Sequence, residues 1–238
     1  MWFATGSSLY LSVAMKPDTL QRPTGWRPVL DPGIPFSGYR PIDLSVSNRD
    51  LDGMRLEDPT VCQKYIDRAL KSKQGLVAYG GYLEKRGLYT AHLKFARKGE
   101  PGRNIHLGVD FWAAAGTAVV APMAGRIHSF RDNKGMGDYG PTLILSHESP
   151  DGSFYSLYGH LSRDSLLGVE RGQEIEEGDV LGFLGPPSVN GGYAPHLHFQ
   201  LIFDLGTSEG DYPGVCSPED LSFYTKNCPD PWSLLNKV

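Results

Sequence analysis

Cysteine is scarce in this chain, and basic residues are not in excess. Three cysteines among 238 residues are too few for a disulfide scaffold, although Cys216 and Cys228 could pair. Lys and Arg together number 23 and Asp and Glu 27, so the formal net charge is −4. A chain of this charge lacks the overall basic surface that nucleic-acid binders use. The sequence therefore argues against a disulfide-rich scaffold and against a nucleic-acid partner.

Long apolar runs are also absent. No stretch approaches the ~20 residues that a transmembrane helix needs, so we expect no membrane span. The stretch MWFATGSSLYLSVAM at the N-terminus lacks the basic flank of a secretion signal. We therefore expect a cytoplasmic protein by default, with a periplasmic or secreted mature form as the alternative. The sequence leaves the oligomeric state open.

Glycine and proline, in contrast, are abundant, at 29 and 18 residues. This content breaks long helices and favours short strands joined by tight turns. Apolar residues make up 40% of the chain and aromatic residues 11%, which is enough to build a buried core. We predict a mainly β fold with one N-terminal helix and irregular arms.

Local patterns divide the chain into four segments. Residues 1–57 are an irregular arm rich in Pro, Gly and Ser. Residues 58–102 are a helical lead-in, in which Asp58 and Pro59 stand in the order that begins a helix. Residues 103–205 are the core, and residues 206–238 are an irregular tail packed on it. The core contains the strand-like runs TAVVAP, GRIHSF, TLILSHE, FYSLYGHL, DVLGFLG and LHFQLIFDL, with a hairpin predicted between TLILSHE and FYSLYGHL.

Two pairs of polar residues within the core have spacings that suit a metal site. His196 and His198 lie two apart in PHLHF, so both imidazoles face the same side of a strand. His106 and Asp110 lie four apart in HLGVDF, which in a straight strand would separate them by about 13 Å. The chain must bend between them, and we expect the backbone freedom of Gly108 to permit the bend. Each residue alone is more simply a hydrogen-bonded strand or turn residue, but the set is consistent with one site.

The motifs HLGVDF, LYGHL and PHLHF, in this order, resemble the lysostaphin/LytM-type zinc endopeptidases. The resemblance implies that His106, Asp110 and His198 bind zinc and that His160 and His196 are the catalytic pair. It also implies twisted antiparallel sheets over roughly residues 103–203, where the glycine pattern continues the likeness. Residues 103–205 are on this reading a zinc metallopeptidase core.

A broader resemblance runs from about residue 78 to the end of the chain. The segments YLEKRGLY, DYGPT and CPDP resemble modules found fused to phosphotransferase and pyridoxal-phosphate aminotransferase domains. The chain departs from the cell-wall enzymes just before the His-x-His motif, where VNGGYAP replaces a Ser/Thr-Gly stretch. Peptidoglycan as the substrate is thus less firmly implied than zinc.

The chemistry of such a set is that of a hydrolase. Two imidazoles and one carboxylate leave a fourth zinc position for water, as in catalytic rather than structural sites. We therefore expect a zinc metalloendopeptidase acting on a peptide, with peptidoglycan as the candidate substrate. The alternatives are a zinc amidase acting on a non-wall peptide or metabolite, and a non-enzymatic binding module of the same fold.

The N-terminal arm raises a separate hypothesis. Asn48 or Asp43 could occupy the open zinc position and hold the enzyme latent. The simpler alternative is that the arm covers sheet edges.

Overall fold

The computed structural model describes residues 25–88, 102–150 and 152–235. Its strands are β1 (Tyr39–Pro41), β2 (Val77–Gly80), β3 (Ile105–His106), β4 (Val109–Trp112), β5 (Ala118–Val120), β6 (Gly125–Asn133), β7 (Gly140–Ser149), β8 (Gly152–Gly159), β9 (Glu174–Ile175), β10 (Val180–Phe183), β11 (His196–Ile202) and β12 (Val215–Cys216). Its α-helices are α1 (Pro59–Lys73), α2 (Leu221–Asn227) and α3 (Trp232–Leu235). Short 3₁₀ turns lie at Phe36–Gly38, Arg49–Leu51 and Arg163–Leu166.

Eight strands form one sheet in the order β1-β2-β4-β11-β8-β7-β6-β9. The pair β1/β2 is parallel, and the other neighbouring pairs of this sheet are antiparallel. Two further pairs, β10/β5 and β12/β3, form small antiparallel sheets. The prediction of a mainly β fold with antiparallel sheets is therefore confirmed.

The strand-like runs of the core all contain strands. The predicted hairpin is β7 and β8, which pair from Leu143 opposite Tyr158 to Ser149 opposite Gly152. Apolar side chains of these strands alternate between two buried clusters, as a sheet covered on both faces requires.

Helix α1 begins where the sequence predicted. The Asp58 side chain accepts a hydrogen bond from the Thr60 backbone N–H at 2.8 Å, and Pro59 occupies the first helical position. Cys62 and Ile66 face the core. None of the helices in the described ranges has both the length and the apolar character needed to cross a membrane.

Three segments differ from the sequence expectation. The described part of the arm contributes β1 to the edge of the large sheet, as the edge-covering alternative proposed. The lead-in contains β2 as well as the helix, while residues 89–101 lie outside the described ranges. The tail holds β12, α2 and α3, so it is not irregular. These elements were missed because each spans seven residues or fewer, which is too short for a clear period.

Strand β11 separates the core from the candidate site. Leu197, Phe199 and Leu201 point into the largest apolar cluster. The alternate residues His196, His198 and Gln200 therefore face the opposite side of the sheet and are also buried. The alternation of polar and apolar residues in β11 thus places three buried polar side chains on the same face of the strand.

Candidate metal centre

Neighbouring strands of the large sheet bring the predicted site residues together. Asp110 in β4 and His198 in β11 lie directly opposite each other in the antiparallel register. On the other side of β11, His198 lies opposite Gly159, the last residue of β8, and His160 follows it. His106 ends β3, just before the turn into β4. The topology thus places residues far apart in sequence at one end of adjacent strands.

The expected bend between His106 and Asp110 is present, but the reason for Gly108 is different. Its backbone is not left-handed. A Cβ atom there would lie 2.6 Å from the carbonyl oxygen of Phe199 and 2.8 Å from Cε1 of His198. Gly108 therefore serves the close approach of β11 and its imidazole, and the expectation of special backbone freedom was wrong.

One donor atom from each of His106, Asp110 and His198 belongs to a small buried triangle. Nε2 of His106 lies 3.2 Å from Oδ1 of Asp110 and 2.9 Å from Nδ1 of His198. The third side, from Nδ1 of His198 to Oδ1 of Asp110, is 3.0 Å. Ligands about 2.0–2.1 Å from a tetrahedral zinc ion are themselves about 3.3 Å apart. The triangle is therefore close to the size that a single ion requires.

The hydrogen bonds of the two imidazoles turn their lone pairs toward this triangle. Nδ1 of His106 donates to the carbonyl oxygen of Gly81 at 2.9 Å. Nε2 of His198 donates to Oε1 of Gln200 at 2.9 Å. Since a neutral imidazole carries one N–H, the two remaining nitrogens and Oδ1 of Asp110 all present lone pairs to one point. Such lone pairs repel one another, and a cation between them would remove the repulsion, so the donor set fits a metal ion.

Charges and burial keep this donor set in the form that binds metal. Burial lowers the pKa of His106 to about 4, and the nearby Arg86 acts in the same direction. Burial alone would raise the pKa of Asp110, but His106 and Arg86 outweigh it and hold that pKa well below its usual range. At neutral pH His106 is therefore neutral and Asp110 ionised.

A buried arginine behind Asp110 was missed by the sequence reasoning. Nη1 of Arg86 donates to Oδ2 of Asp110 at 2.5 Å, and its Nε donates to Oε2 of Glu84 at 2.6 Å. Because Arg86 engages Oδ2, the other oxygen of Asp110 is left to face the triangle. Both residues belong to YLEKRGLY, so a signal was present, but the motif does not reveal that it lies beside Asp110.

His160 and His196 lie side by side next to the triangle. Their ring centres are 4.2 Å apart, and Nε2 of His196 is 4.0 Å from Oδ1 of Asp110. Each donates its Nδ1–H to a backbone carbonyl oxygen, that of Asn190 at 2.8 Å and that of Ala194 at 2.7 Å. Burial lowers the pKa of both, so Nε2 of each is an unprotonated base at neutral pH.

The loop before β11 supports these two histidines. Asn190 forms the turn, because its Oδ1 accepts from the Tyr193 backbone N–H and its Nδ2 donates to the carbonyl oxygen of Gly185. The Tyr193 ring contacts His160 and His196 edge-on, at 5.2 and 5.8 Å between ring centres. The segment VNGGYAP is thus both a turn and part of the site.

These residues line a cleft of about 400 Å³. The volume lies within the range of small-ligand sites. The arm and α1 contribute the apolar lining residues Leu44, Leu56 and Cys62, and Leu88 and Trp112 add to them. The start of the tail contributes the polar residues Thr207, Ser208, Glu209, Asp211 and Tyr212.

Asn48 and Asp43, the arm residues predicted to occupy the open zinc position, make their hydrogen bonds elsewhere. Oδ1 of Asn48 accepts from the Asp50 backbone N–H, and its Nδ2 donates to Tyr65 and to the carbonyl oxygen of Asp43. Oδ1 of Asp43 accepts from the Ser45 backbone N–H. The hypothesis that Asn48 or Asp43 occupies the metal position is therefore wrong, because both side chains serve the local turn.

The remaining histidines and cysteines have structural surroundings. His147 hydrogen-bonds across the sheet to Ser156 Oγ at 2.6 Å, as expected for a strand residue. His128 hydrogen-bonds to Ser129, while His92 lies outside the described ranges. Cys216 and Cys228 are buried free thiols, so the possible disulfide is not formed.

Comparison with known proteins addresses the same part of the chain. Residues 104–208 match the model of peptidase family M23. The chain contains an M23 domain. This domain is of the lysostaphin/LytM type that the motifs resemble.

Individual relatives of the M23 domain are larger proteins. The L-Ala--D-Glu endopeptidase of Bacillus subtilis (strain 168) is 30% identical over 120 residues, covering 48% of this chain and 35% of that protein. Lysostaphin of Staphylococcus staphylolyticus is 35% identical over 112 residues, covering 46% of this chain and 22% of that protein. This chain thus matches about a third or less of these relatives' length. The solved catalytic domain of lysostaphin from Staphylococcus simulans is 27% identical, with a TM-score of 0.37, covering 62% of this chain and 88% of that one.

Proposed function

We propose that this protein is a zinc-dependent metalloendopeptidase that hydrolyses a peptide bond in cell-wall peptides. The observation that carries the proposal is the convergence of three lone pairs, from His106, Asp110 and His198, within 3.2 Å of one another. The M23 domain over residues 104–208 supports the reaction class.

His106 Nε2, Asp110 Oδ1 and His198 Nδ1 would hold the zinc ion. When bound through three protein ligands, zinc lowers the pKa of a water in its open position to about 7 and so supplies a nucleophile at neutral pH. Arg86 keeps Asp110 ionised and oriented, and the backbone carbonyl of Gly81 fixes the His106 ring. The protein's part in this step is thus to hold the donor atoms in place before metal binds.

His160 and His196 would move the protons of the reaction. Both present a neutral Nε2 at the edge of the triangle, because their Nδ1–H groups are held by backbone carbonyl oxygens. Either Nε2 can accept a proton from the attacking water, and once protonated that nitrogen can donate a hydrogen bond to the oxygen that gains negative charge.

The substrate proposal rests on the named relatives. One is an L-Ala--D-Glu endopeptidase and another is lysostaphin. The cleft of about 400 Å³ has room for a few residues of a peptide at the centre. We therefore infer a peptidoglycan peptide as the substrate.

We also infer that the M23 domain is of the type found fused to phosphotransferase and aminotransferase domains. The three motifs of that resemblance all contribute side chains around the centre. Arg86 of YLEKRGLY contacts Asp110, Tyr139 of DYGPT contacts His198, and Cys228 of CPDP contacts Gln200.

The activity can be tested with purified protein stripped of metal and reloaded with one equivalent of zinc. Purified peptidoglycan and a set of non-wall peptides are incubated with it, and newly formed amino groups are measured. We expect zinc-dependent release from peptidoglycan. Release from non-wall peptides alone would redirect the proposal to an amidase of another substrate, and no release from either would reject it. His128→Ala, away from the centre, serves as the control variant.

A further inference from the structure

Gln200 stands behind His198, on the side away from the metal-facing nitrogen. Its Oε1 accepts the hydrogen bond from Nε2 of His198 at 2.9 Å. The hydroxyl oxygen of Tyr139 is the other neighbour of this nitrogen, at the longer distance of 3.4 Å. Gln200 is fully buried, so its amide is shielded from water. The partner that determines which nitrogen of His198 carries the proton is therefore Gln200.

The orientation of the Gln200 amide is itself fixed by two groups of the tail. Its Nε2 donates to the carbonyl oxygen of Pro213 at 3.2 Å and to Sγ of Cys228 at 3.3 Å. A backbone carbonyl oxygen can accept hydrogen bonds but cannot donate them. The amide NH₂ must therefore face Pro213, and Oε1 must face His198.

The tail that supplies these groups is anchored to the rest of the protein. The Tyr82 hydroxyl donates to the backbone carbonyl of Cys228 at 2.7 Å. The Asn227 side chain donates to the carbonyl oxygen of Asp204 at 2.8 Å, and within the tail it also donates to the Tyr212 hydroxyl at 2.6 Å. Pro213 and Cys228 both lie beyond residue 208, where the M23 match ends.

We propose that Gln200 is a positioning residue that holds His198 in the tautomer with its Nδ1 lone pair toward the metal, and that the tail beyond residue 208 keeps Gln200 in this orientation. The proposal rests on the metal-binding part of the proposed function. Without an acceptor at Gln200, the proton of His198 can move to Nδ1, where it would block the metal ligand. Outer partners of this kind typically change metal affinity by 10–100-fold.

The test compares zinc affinity in three variants by competition with a chromophoric chelator. Gln200→Leu removes the acceptor, and we expect it to weaken zinc binding about 10–100-fold. Gln200→Glu keeps an acceptor oxygen, and Gln173→Leu makes the same replacement at an exposed glutamine. We expect Gln173→Leu to bind zinc within about threefold of the parent protein. Gln200→Glu keeps the acceptor for His198 but loses the donor to Pro213, so we expect its zinc affinity to lie between those of the parent protein and Gln200→Leu. Equal losses in the two Gln200 variants, or parent-like affinity in Gln200→Leu, would overturn the proposal.

A second measurement does not depend on a variant that folds. In the zinc-free parent protein, long-range ¹H–¹⁵N spectra of labelled histidine report which ring nitrogen carries the proton. We expect the proton of His198 on Nε2, and a proton on Nδ1 would contradict the proposal. Neither readout requires peptide hydrolysis, so an inactive protein that passes both tests would reject the proposed function and leave the role of Gln200 intact.

Discussion

Hydrogen bonds at the level of single residues decide which nitrogen of each histidine can act. His106 and His198 turn Nε2 and Nδ1, respectively, toward Asp110, because their other nitrogens are held by Gly81 and Gln200. His160 and His196 both turn Nε2 outward from backbone carbonyls. The four imidazoles are therefore sorted by their partners into two metal ligands and two bases.

This sorting predicts distinct outcomes for substitutions at the two kinds of histidine. We expect His160→Ala and His196→Ala to lower kcat by at least about 10²-fold while retaining one zinc per chain, because these residues act on protons and not on the metal. Peptide hydrolysis and elemental analysis on the same preparation check this. Loss of zinc from both variants would show instead that the two histidines are ligands.

At the scale of strands, the centre depends on the close packing of β11 against the turn between β3 and β4. A Cβ atom at Gly108 would lie 2.6 Å from the carbonyl oxygen of Phe199 and 2.9 Å from Nε2 of His198. Backbone atoms cannot rotate away from such a contact as the end of a side chain can. The turn and the strand would have to separate.

We expect Gly108→Ala to weaken zinc binding and to destabilise the fold by about 1–3 kcal/mol, the usual cost of overpacking. Gly25→Ala is a matched control, because nothing lies within 4 Å of the added Cβ atom. Denaturant unfolding and chelator competition measure the two effects. A Gly108→Ala protein equal to the Gly25→Ala control in both would show that the packing is more tolerant than the contact implies.

Helices and strands with a strong periodic pattern could be predicted from the sequence, whereas short ones could not. Asp58 and Pro59 marked the start of α1, and alternation in LHFQLIFDL marked β11. Strand β2 has four residues and depends on pairing with β1 and β4, so its local pattern is too brief to stand out. Helices α2 and α3 were not predicted for the same reason, because seven and four residues are too few to show a clear helical period.

The candidate site was also only partly readable. Residue types and motif spacing indicated the five polar residues, and the sheet brings them together. The roles of Arg86 and Gln200 could not be assigned from sequence. Arg86 acts through a hydrogen bond to Oδ2 of Asp110, and Gln200 acts through a hydrogen bond from Nε2 of His198. Spacing reports which residues share a strand face, whereas the orientation of an amide or guanidinium depends on tertiary contacts.

In the molecule as a whole, buried neutral histidines make the fold sensitive to acid. Burial lowers the pKa of His147, which lies outside the centre and hydrogen-bonds to Ser156 Oγ and to the carbonyl oxygen of Ala124. The unfolded chain, with a histidine pKa of about 6.5, binds a proton that the folded state excludes. Stability from this residue is therefore complete above about pH 6.5 and is lost as the pH falls below it.

We expect His147→Gln, which keeps a polar group in the strand, to show a shallower loss of stability between about pH 6.5 and pH 5 than the parent protein. The difference in slope has an upper limit of about 1.4 kcal/mol per pH unit, corresponding to one proton. Urea unfolding of the zinc-free proteins across this range measures it. Identical slopes would mean that His147 is protonated in the folded state.

The most direct test of the whole account is the position of zinc in a crystal of the reloaded protein, from anomalous diffraction on both sides of the zinc absorption edge. We expect one strong peak per chain, about 2.0–2.2 Å from His106 Nε2, Asp110 Oδ1 and His198 Nδ1, and no peak there in His198→Ala. A peak bound by His160 or His196, or full zinc content in His198→Ala, would contradict the assignment of this centre.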